Sequence, residues 1–381
     1  MDPLVILGTG LAGYAVAREW RRLVPEGPLA LVTRDAGAFY SKPMLSSALA
    51  SGQTATTLPN ATAEEMSRQL HAEVRVRSTA TSVDPAARRV LVDGAPLPYS
   101  SLVLALGADP IRLPLGGDGA SEVMSVNDID DYARFRAALE GKRHVLILGA
   151  GLIGCEFAND LASAGYEVTL TDPAAWPLSR LLPPSAGEAL RDGLARASVK
   201  WHLGDSASAV ARDGSGYRVS LQSGSTIDCD LILSAIGLRP RTGLAAQAGL
   251  AVNRGIVVGR RLQTSDPGVF ALGDCAEVEG RVLPFVMPIM HAARALTRTL
   301  AGEPTEVTYP AMPVVVKTPA WPTVVSPPAP GVSGEWTTEV RATGVRAVFR
   351  GPDGRLLGFA LSADAVADKN TLTRELPAVL G

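Results

Sequence analysis

The sequence predicts an α/β protein with two domains of parallel sheet and covering helix, each of the three-layer ββα type, and a small α+β domain at its C-terminal end. Three observations lead there. Apolar strand-like runs twice end in a G-x-G-x-x-G turn, Gly8-Thr9-Gly10-Leu11-Ala12-Gly13 and Gly149-Ala150-Gly151-Leu152-Ile153-Gly154. Each turn opens a helical stretch that a second apolar strand follows, as a βαβ unit requires. Two further apolar runs, 101–106 before Gly107 and 231–236 before Gly237, echo one another in the same order. The chain therefore carries an internal duplication.

Along the chain, residues 4–7 read as the first buried strand, 14–23 as an Ala-rich helix and 28–33 as the second strand. In the repeat, residues 145–148, a helix through Ala164 and a strand over 167–171 take the same parts. The runs 255–258 and 268–274 return to the first pattern, so the first domain is expected to be interrupted by the second. The expected division is 1–115 and 243–310 for the interrupted domain, 116–242 for the inserted one and 311–381 for the tail. In the tail, 336–341 and 345–350 read as strands, Gly351-Pro352-Asp353-Gly354 as a hairpin turn and 365–376 as a helix. The proline-rich stretch 319–330 reads as a plain linker.

Composition narrows the function classes. With 36 Lys+Arg against 38 Asp+Glu, the formal net charge of -2 argues against a dedicated nucleic-acid binder, which needs a basic face for phosphates. Three cysteines, Cys155, Cys229 and Cys275, form neither a disulfide framework nor a CxxC, and are too few for an iron–sulfur cluster or a four-thiolate zinc site. His71, His144, His202 and His291 stand alone, so no metal ligand set is expected. The start, Met-Asp-Pro-Leu-Val-Ile-Leu-Gly, enters a strand at once and has no basic region followed by a long apolar run. A soluble cytoplasmic protein without membrane insertion is the expectation.

The glycines carry the chemistry. In the first fingerprint Gly8 permits the tight turn, Gly10 lets backbone approach a pyrophosphate and Gly13 allows close helix–strand packing. The helix N-terminus then presents free N–H groups and a positive dipole end to the phosphates. Asp35 follows the second strand, where it would accept hydrogen bonds from an adenine ribose or serve only as a turn residue. Gly149, Gly151 and Gly154 repeat this logic with Leu152 and Ile153 opening the helix. Asp172 there would bond a ribose 2′-hydroxyl and repel a 2′-phosphate, favouring NADH over NADPH, or merely cap the strand end. Gly273-Asp274 is a third element, read either as a turn cap or as a carboxylate for the ribityl hydroxyls of FAD. A helix around residues 289–300, starting near Ile289, would aim its N-terminal dipole at the flavin N1–C2=O edge. Gly107 and Gly237 are the strand-end glycines beside the two cofactors.

Together these three elements resemble the flavoproteins with two dinucleotide-binding domains, the pyridine-nucleotide-disulfide reductase superfamily. Within it, the strings Tyr40-Ser41-Lys42-Pro43-Met44-Leu45-Ser46, Gly151-Leu152-Ile153-Gly154-Cys155-Glu156-Phe157-Ala158-Asn159-Asp160 and Val316-Lys317-Thr318-Pro319-Ala320 resemble the bacterial NADH:rubredoxin reductases. The resemblance runs nearly the whole chain. It implies two Rossmann-like FAD/NAD(P)-binding domains, FAD held partly by Lys42 and Pro43, and electron flow from NADH through FAD to rubredoxin. Hydride would pass from nicotinamide C4 to flavin N5, and reduced flavin would give up single electrons. It further implies a downstream use in alkane hydroxylation or in oxygen and oxidative-stress defence.

Two departures sharpen this reading. Disulfide reductases carry a Cys-x4-Cys near the flavin, but residues 41–52 contain no cysteine, which removes dithiol and single-thiol chemistry. Related ferredoxin reductases pair a lysine after the Pro-x-Leu-Ser segment with the glutamate of the second fingerprint; here that place is Ser47, so Glu156 lacks its usual partner. Lys317, arriving from the tail, is expected to supply the ammonium beside Glu156 and flavin N5; otherwise it is a solvated strand lysine. Rubredoxins being acidic, a basic collar of Lys42, Arg260, Arg261 and Lys317 is expected near the flavin edge. Trp321 would wall that edge or fill the core. The rival expectations are a ferredoxin reductase of an oxygenase system, a slowly turning flavin-bound redox sensor or interaction protein, and a non-enzymatic nucleotide-binding module.

Overall fold

The structure, a computed structural model, describes residues 2–381. The first domain is built on a parallel five-stranded sheet in the order Val269–Ala271, Ser101–Leu104, Leu4–Leu7, Leu29–Val32, Glu73–Arg75. Leu4–Leu7 is buried along its whole length, because a parallel strand is covered on both faces and so reads as a continuous apolar run. The fingerprint helix Leu11–Leu23 and the helix Val286–Leu300 pack against each other over this sheet. A three-stranded antiparallel meander, Ala80–Asp84, Arg89–Val92 and Ala95–Pro98, accompanies it. One core joins residues from both parts of the interrupted domain, from Leu4 to Ala105 and from Ala245 to Tyr309.

The second domain repeats this plan. Its parallel sheet runs Val199–Leu203, Glu167–Asp172, His144–Leu148, Leu231–Ser234, with the helix Leu152–Ser163 after the first strand. Its meander is Ala207–Asp213, Gly216–Leu221 and Thr226–Cys229. The duplication extends to the crossings between domains. Ala108–Pro110 and Leu238–Pro240, which follow the two echoing glycines, pair with each other as an antiparallel two-stranded sheet. Leu113 and Leu115 already pack on the second domain's core, so the chain crosses before residue 115. Ile256–Val258 lies outside the main sheet, paired with Ala276–Val278.

The tail is a five-stranded antiparallel sheet in the order Val314–Val316, Thr323–Ser326, Leu356–Ser362, Val345–Arg350, Glu335–Val340. The stretch read as a linker instead holds the strand Thr323–Ser326, whose Thr323, Val324 and Val325 are buried. Its prolines misled because they lie outside the strand: Pro322 precedes it and Pro327 follows, so no ladder N–H is lost. The expected helix over 365–376 is a 3-10 turn, Ala363–Asp368, and a short α-helix, Lys369–Glu375. A second core runs from Leu45 and Ala48 of the first domain, through the second, to Val316 and Val325 of the tail. Among the described residues, no helix is long and apolar enough to cross a membrane.

Candidate functional site

The six fingerprint glycines divide into two kinds. A Cβ on Gly13 would sit 1.9 Å from the Gly8 carbonyl oxygen, and one on Gly154 would sit 1.9 Å from that of Gly149. Gly8 and Gly149 adopt φ of +110° and +102° and abut Ala105 and Ala235. These four are explained by the protein's own packing. A Cβ on Gly10 or Gly151 would meet nothing within 4 Å, so packing does not demand a glycine at either place. Both are extended N-cap residues without a side-chain cap, and neither helix has an acidic residue in its first turn. The first intrahelical bonds come from Tyr14 and Cys155, which leaves the preceding N–H groups without helical partners. Two open cradles with uncapped donors fit two pyrophosphates.

The acids are placed by short local bonds. Oδ1 of Asp35 accepts from Thr33 Oγ1 and Gly37 N, both at 2.8 Å, and from Thr9 Oγ1 at 3.4 Å, which leaves Oδ2 for another donor. Asp172 accepts from Ala150 N at 2.7 Å and Ala174 N at 2.8 Å. It caps the strand end and ties down the glycine turn, while each oxygen keeps one further lone pair. Gly273, at φ +80°, lies against Ala12 of the fingerprint helix, and Asp274 beside it is 3.9 Å from Lys42 Nζ. Lys42 follows Ser41 and precedes Pro43 in the 3-10 helix Lys42–Ser47. Its ammonium donates to Asn127 Oδ1 at 2.7 Å, and burial lowers its pKa. Ile289 is a core residue, 7% exposed, and the long helix begins at Val286. Gly107 and Gly237 take φ of +70° and +120° at the two domain crossings.

Between the domains lies an ionic centre. Glu156, 1% exposed on the second fingerprint helix, forms a salt bridge to Lys317 Nζ. Its carboxylate also accepts from Lys317 N at 3.1 Å and from Ser46 Oγ at 2.6 Å. The hydroxyl that reaches it from the first domain is therefore Ser46; Ser47 bonds back to the Met44 carbonyl. Ser46→Ala, which strips a donor from a buried carboxylate, is expected to cost about 1.5–3 kcal/mol and Ser47→Ala less than about 0.5 kcal/mol in thermal unfolding. Asn127 was not singled out from the sequence, and Ser46, Asn159 and Asp160 stood in quoted strings without a task. For Asn159 and Asp160 the signal was polar side chains at i+3 and i+4 from Glu156 on a helix otherwise mostly apolar.

Of the four cations expected as a collar, Lys42 stands beside Asp274 and Lys317 on Glu156. Arg260 bonds the carbonyls of Val307 and Gly381 and lies 3.5 Å from Glu306, so it is anchored by the tail. Trp321 packs on Gly193 under the Arg196 guanidinium, 4.8 Å from its centroid, and so fills the seam between the second domain and the tail. All three cysteines are free and buried. Burial pushes the Cys275 thiol up to about 11 and the Cys229 thiol up to about 12, and raises Cys155 as well, so none offers a thiolate near neutrality. Among the described residues, no group of His, Cys, Asp and Glu could hold a metal ion.

A family model described as Pyridine nucleotide-disulphide oxidoreductase matches residues 2–299. The chain belongs to this family. A second model, Rubredoxin binding C-terminal domain, matches residues 306–376 of this oxidoreductase. The chain is 51% identical over 381 residues to a Rubredoxin-NAD(+) reductase of Alcanivorax borkumensis, covering 100% of both. It is 42% identical to one of Acinetobacter baylyi, over 99% of this chain and 98% of the other. It is also 40% identical to a Nitric oxide reductase FlRd-NAD(+) reductase of Aeromonas hydrophila, over 98% and 96%. Among solved structures, a ferredoxin reductase from Rhodopseudomonas palustris superposes with a TM-score of 0.89 at 27% identity, over 99% and 96%. The family fold and the two dinucleotide cradles thus coincide, and FAD and NADH are the cofactors of this oxidoreductase.

Proposed function

We propose that this chain takes hydride from NADH and delivers single electrons, through FAD, to rubredoxin. One observation carries the reading. The segment that matches a rubredoxin-binding domain, 306–376, sends Lys317 into the junction of the two dinucleotide domains and onto Glu156 of the NADH-side helix. Acceptor recognition and hydride delivery therefore meet at one ion pair. FAD, when bound, converts a two-electron hydride into two one-electron transfers.

The protein's own residues bind, orient and neutralise. Gly8–Gly13, Asp35, Lys42, Pro43, Gly107 and Asp274 would hold FAD, with the uncapped helix Val286–Leu300 directing its N-terminal N–H groups at the ring. Gly149–Gly154, Asp172 and Gly237 would hold NADH. Lys317 would offset negative charge near N5, and Glu156 would keep that ammonium charged and fixed. The setting we propose is the cytoplasm, in keeping with three free, buried thiols. Alkane hydroxylation, or oxygen and oxidative-stress defence, is the proposed use of the reduced rubredoxin.

A ferredoxin as acceptor is the second reading, favoured by the structural likeness to the Rhodopseudomonas palustris ferredoxin reductase. Purified flavoprotein should be bleached by NADH anaerobically and then reoxidised by rubredoxin. We expect kcat/KM for rubredoxin to exceed that for a [2Fe–2S] ferredoxin by about tenfold or more. The reverse preference would hand the function to the second reading. Bleaching that took minutes would revive a sensing role.

A further inference from the structure

The second fingerprint helix, Leu152–Ser163, faces three domains at once. Its N-terminus opens at Gly151, the NADH cradle. Its buried face carries Glu156, Asn159 and Asp160, which are 1%, 4% and 3% exposed. Spacings of three and four from Glu156 place them on one face of a three-turn helix. Every one of them is bonded outside its own domain. Asp160 Oδ2 accepts from Leu49 N and Oδ1 from Ala50 N, both at 2.9 Å, and these amides belong to the loop that continues the segment bearing Lys42 and Ser46. Asn159 Oδ1 accepts from Ala320 N at 3.1 Å.

The last of these bonds has a partner of matching spacing. Lys317 N donates to Glu156 and Ala320 N to Asn159, so two amides three residues apart in the tail meet two side chains three residues apart on the helix. A turn held at both ends cannot swing. Without the second hold, Lys317, whose side chain is 29% exposed, would keep its bonds to Glu156, and the far end of its turn would be closed only by the Thr318–Trp321 bonds. The proposed N5 chemistry needs the ammonium in place and not merely nearby, because misplacement by about 1 Å can cost 10²-fold in rate.

We propose that Asn159 and Asp160 are positioning residues that bind the 42–52 segment and the Lys317 turn to the NADH-binding helix. This rests on the NADH and Lys317 roles proposed above. Burial raises the Asp160 carboxyl, opposed by the Ala50 and Leu49 amides and by the charges of Arg136 and Lys317.

Hydrogen exchange at Leu49, Ala50 and Ala320 on the full-length holoprotein tests the idea. Asp160→Asn replaces an acceptor pair by one acceptor and one donor, and should speed exchange at whichever of Leu49 and Ala50 then faces the donor by about ten- to a hundredfold, the size expected for a lost bond to a charged acceptor. Asn159→Ala should do the same, more weakly, at Ala320. In both variants the rate of flavin reduction at saturating NADH should fall while KM for NADH stays within about twofold, since the cradle itself is untouched. Exchange unchanged within about twofold in both variants would overturn the brace. So would a rise in KM in place of a fall in kcat. If Asp160→Asn does not fold, Asn159→Ala carries the test alone. Bleaching of wild-type flavin by NADH is read separately, and its absence would overturn the proposed function while nucleotide-free exchange still judged the bonds.

Discussion

Lys317→Ala is expected to slow hydride transfer from NADH by about 10²-fold and to lower thermal stability. Glu156 is 1% exposed and its carboxylate has three donors: the Lys317 ammonium, the Lys317 amide and the Ser46 hydroxyl. Removing the ammonium leaves a buried negative charge with two neutral donors. For a fully buried pair that costs roughly 3–5 kcal/mol. Lys317 is 29% exposed, so water can partly replace it and the loss should fall below that range. Pairing the change with Glu156→Gln removes the stranded charge. The double variant should therefore recover most of the stability and none of the rate. Stopped-flow flavin bleaching and thermal unfolding separate the two effects. A Lys317→Ala enzyme that reduces flavin at the wild-type rate would refute the assigned role, whatever its stability.

Why this pair was legible in the sequence, and its surroundings were not, follows from the kind of contact each makes. Glu156 stood out through the family resemblance, as the glutamate of the second fingerprint, and Lys317 because the lysine that related ferredoxin reductases pair with that glutamate is Ser47 here. A charge without its usual partner asks for another. The parallel strands and their glycine turns were equally readable, since both faces of a parallel sheet are buried and the turn needs residues without a Cβ. Asn159 and Asp160 were quoted within a motif yet given no task, because their partners are backbone amides of Leu49, Ala50 and Ala320, and an amide leaves no trace in a sequence. The strand Thr323–Ser326 was hidden by flanking prolines that never enter its ladder. Arg260 was named as a cation for an acidic partner and Trp321 for its closeness in the chain to Lys317, as a wall or a core residue; Arg260 is held by Glu306 and Trp321 fills the seam between the second domain and the tail.

The sharpest contrast lies within one fingerprint. Gly154→Ala would place a methyl 1.9 Å from the Gly149 carbonyl oxygen, between the helix and the turn it crosses. The contact is backbone on backbone, so no side-chain rotamer relieves it, and the helix must lift off the strand. Gly149 cannot retreat either. Its φ of +102° is set by the turn, and a Cβ there would already touch the Ala235 carbonyl. The loss should reach about 3 kcal/mol or more, at the upper end of overpacking costs, and the same holds for Gly13→Ala against Gly8. Gly151→Ala meets nothing within 4 Å, and its extended backbone suits alanine. It should unfold at nearly the wild-type temperature. Yet its methyl points into the space where the pyrophosphate must approach the backbone, so KM for NADH should rise by about tenfold or more. Two alanines three residues apart thus separate a glycine required by the fold from one required by the ligand. If Gly151→Ala bound NADH as the wild type does, the second cradle would not be a pyrophosphate site, and the path from NADH to the Glu156–Lys317 pair would have to start elsewhere.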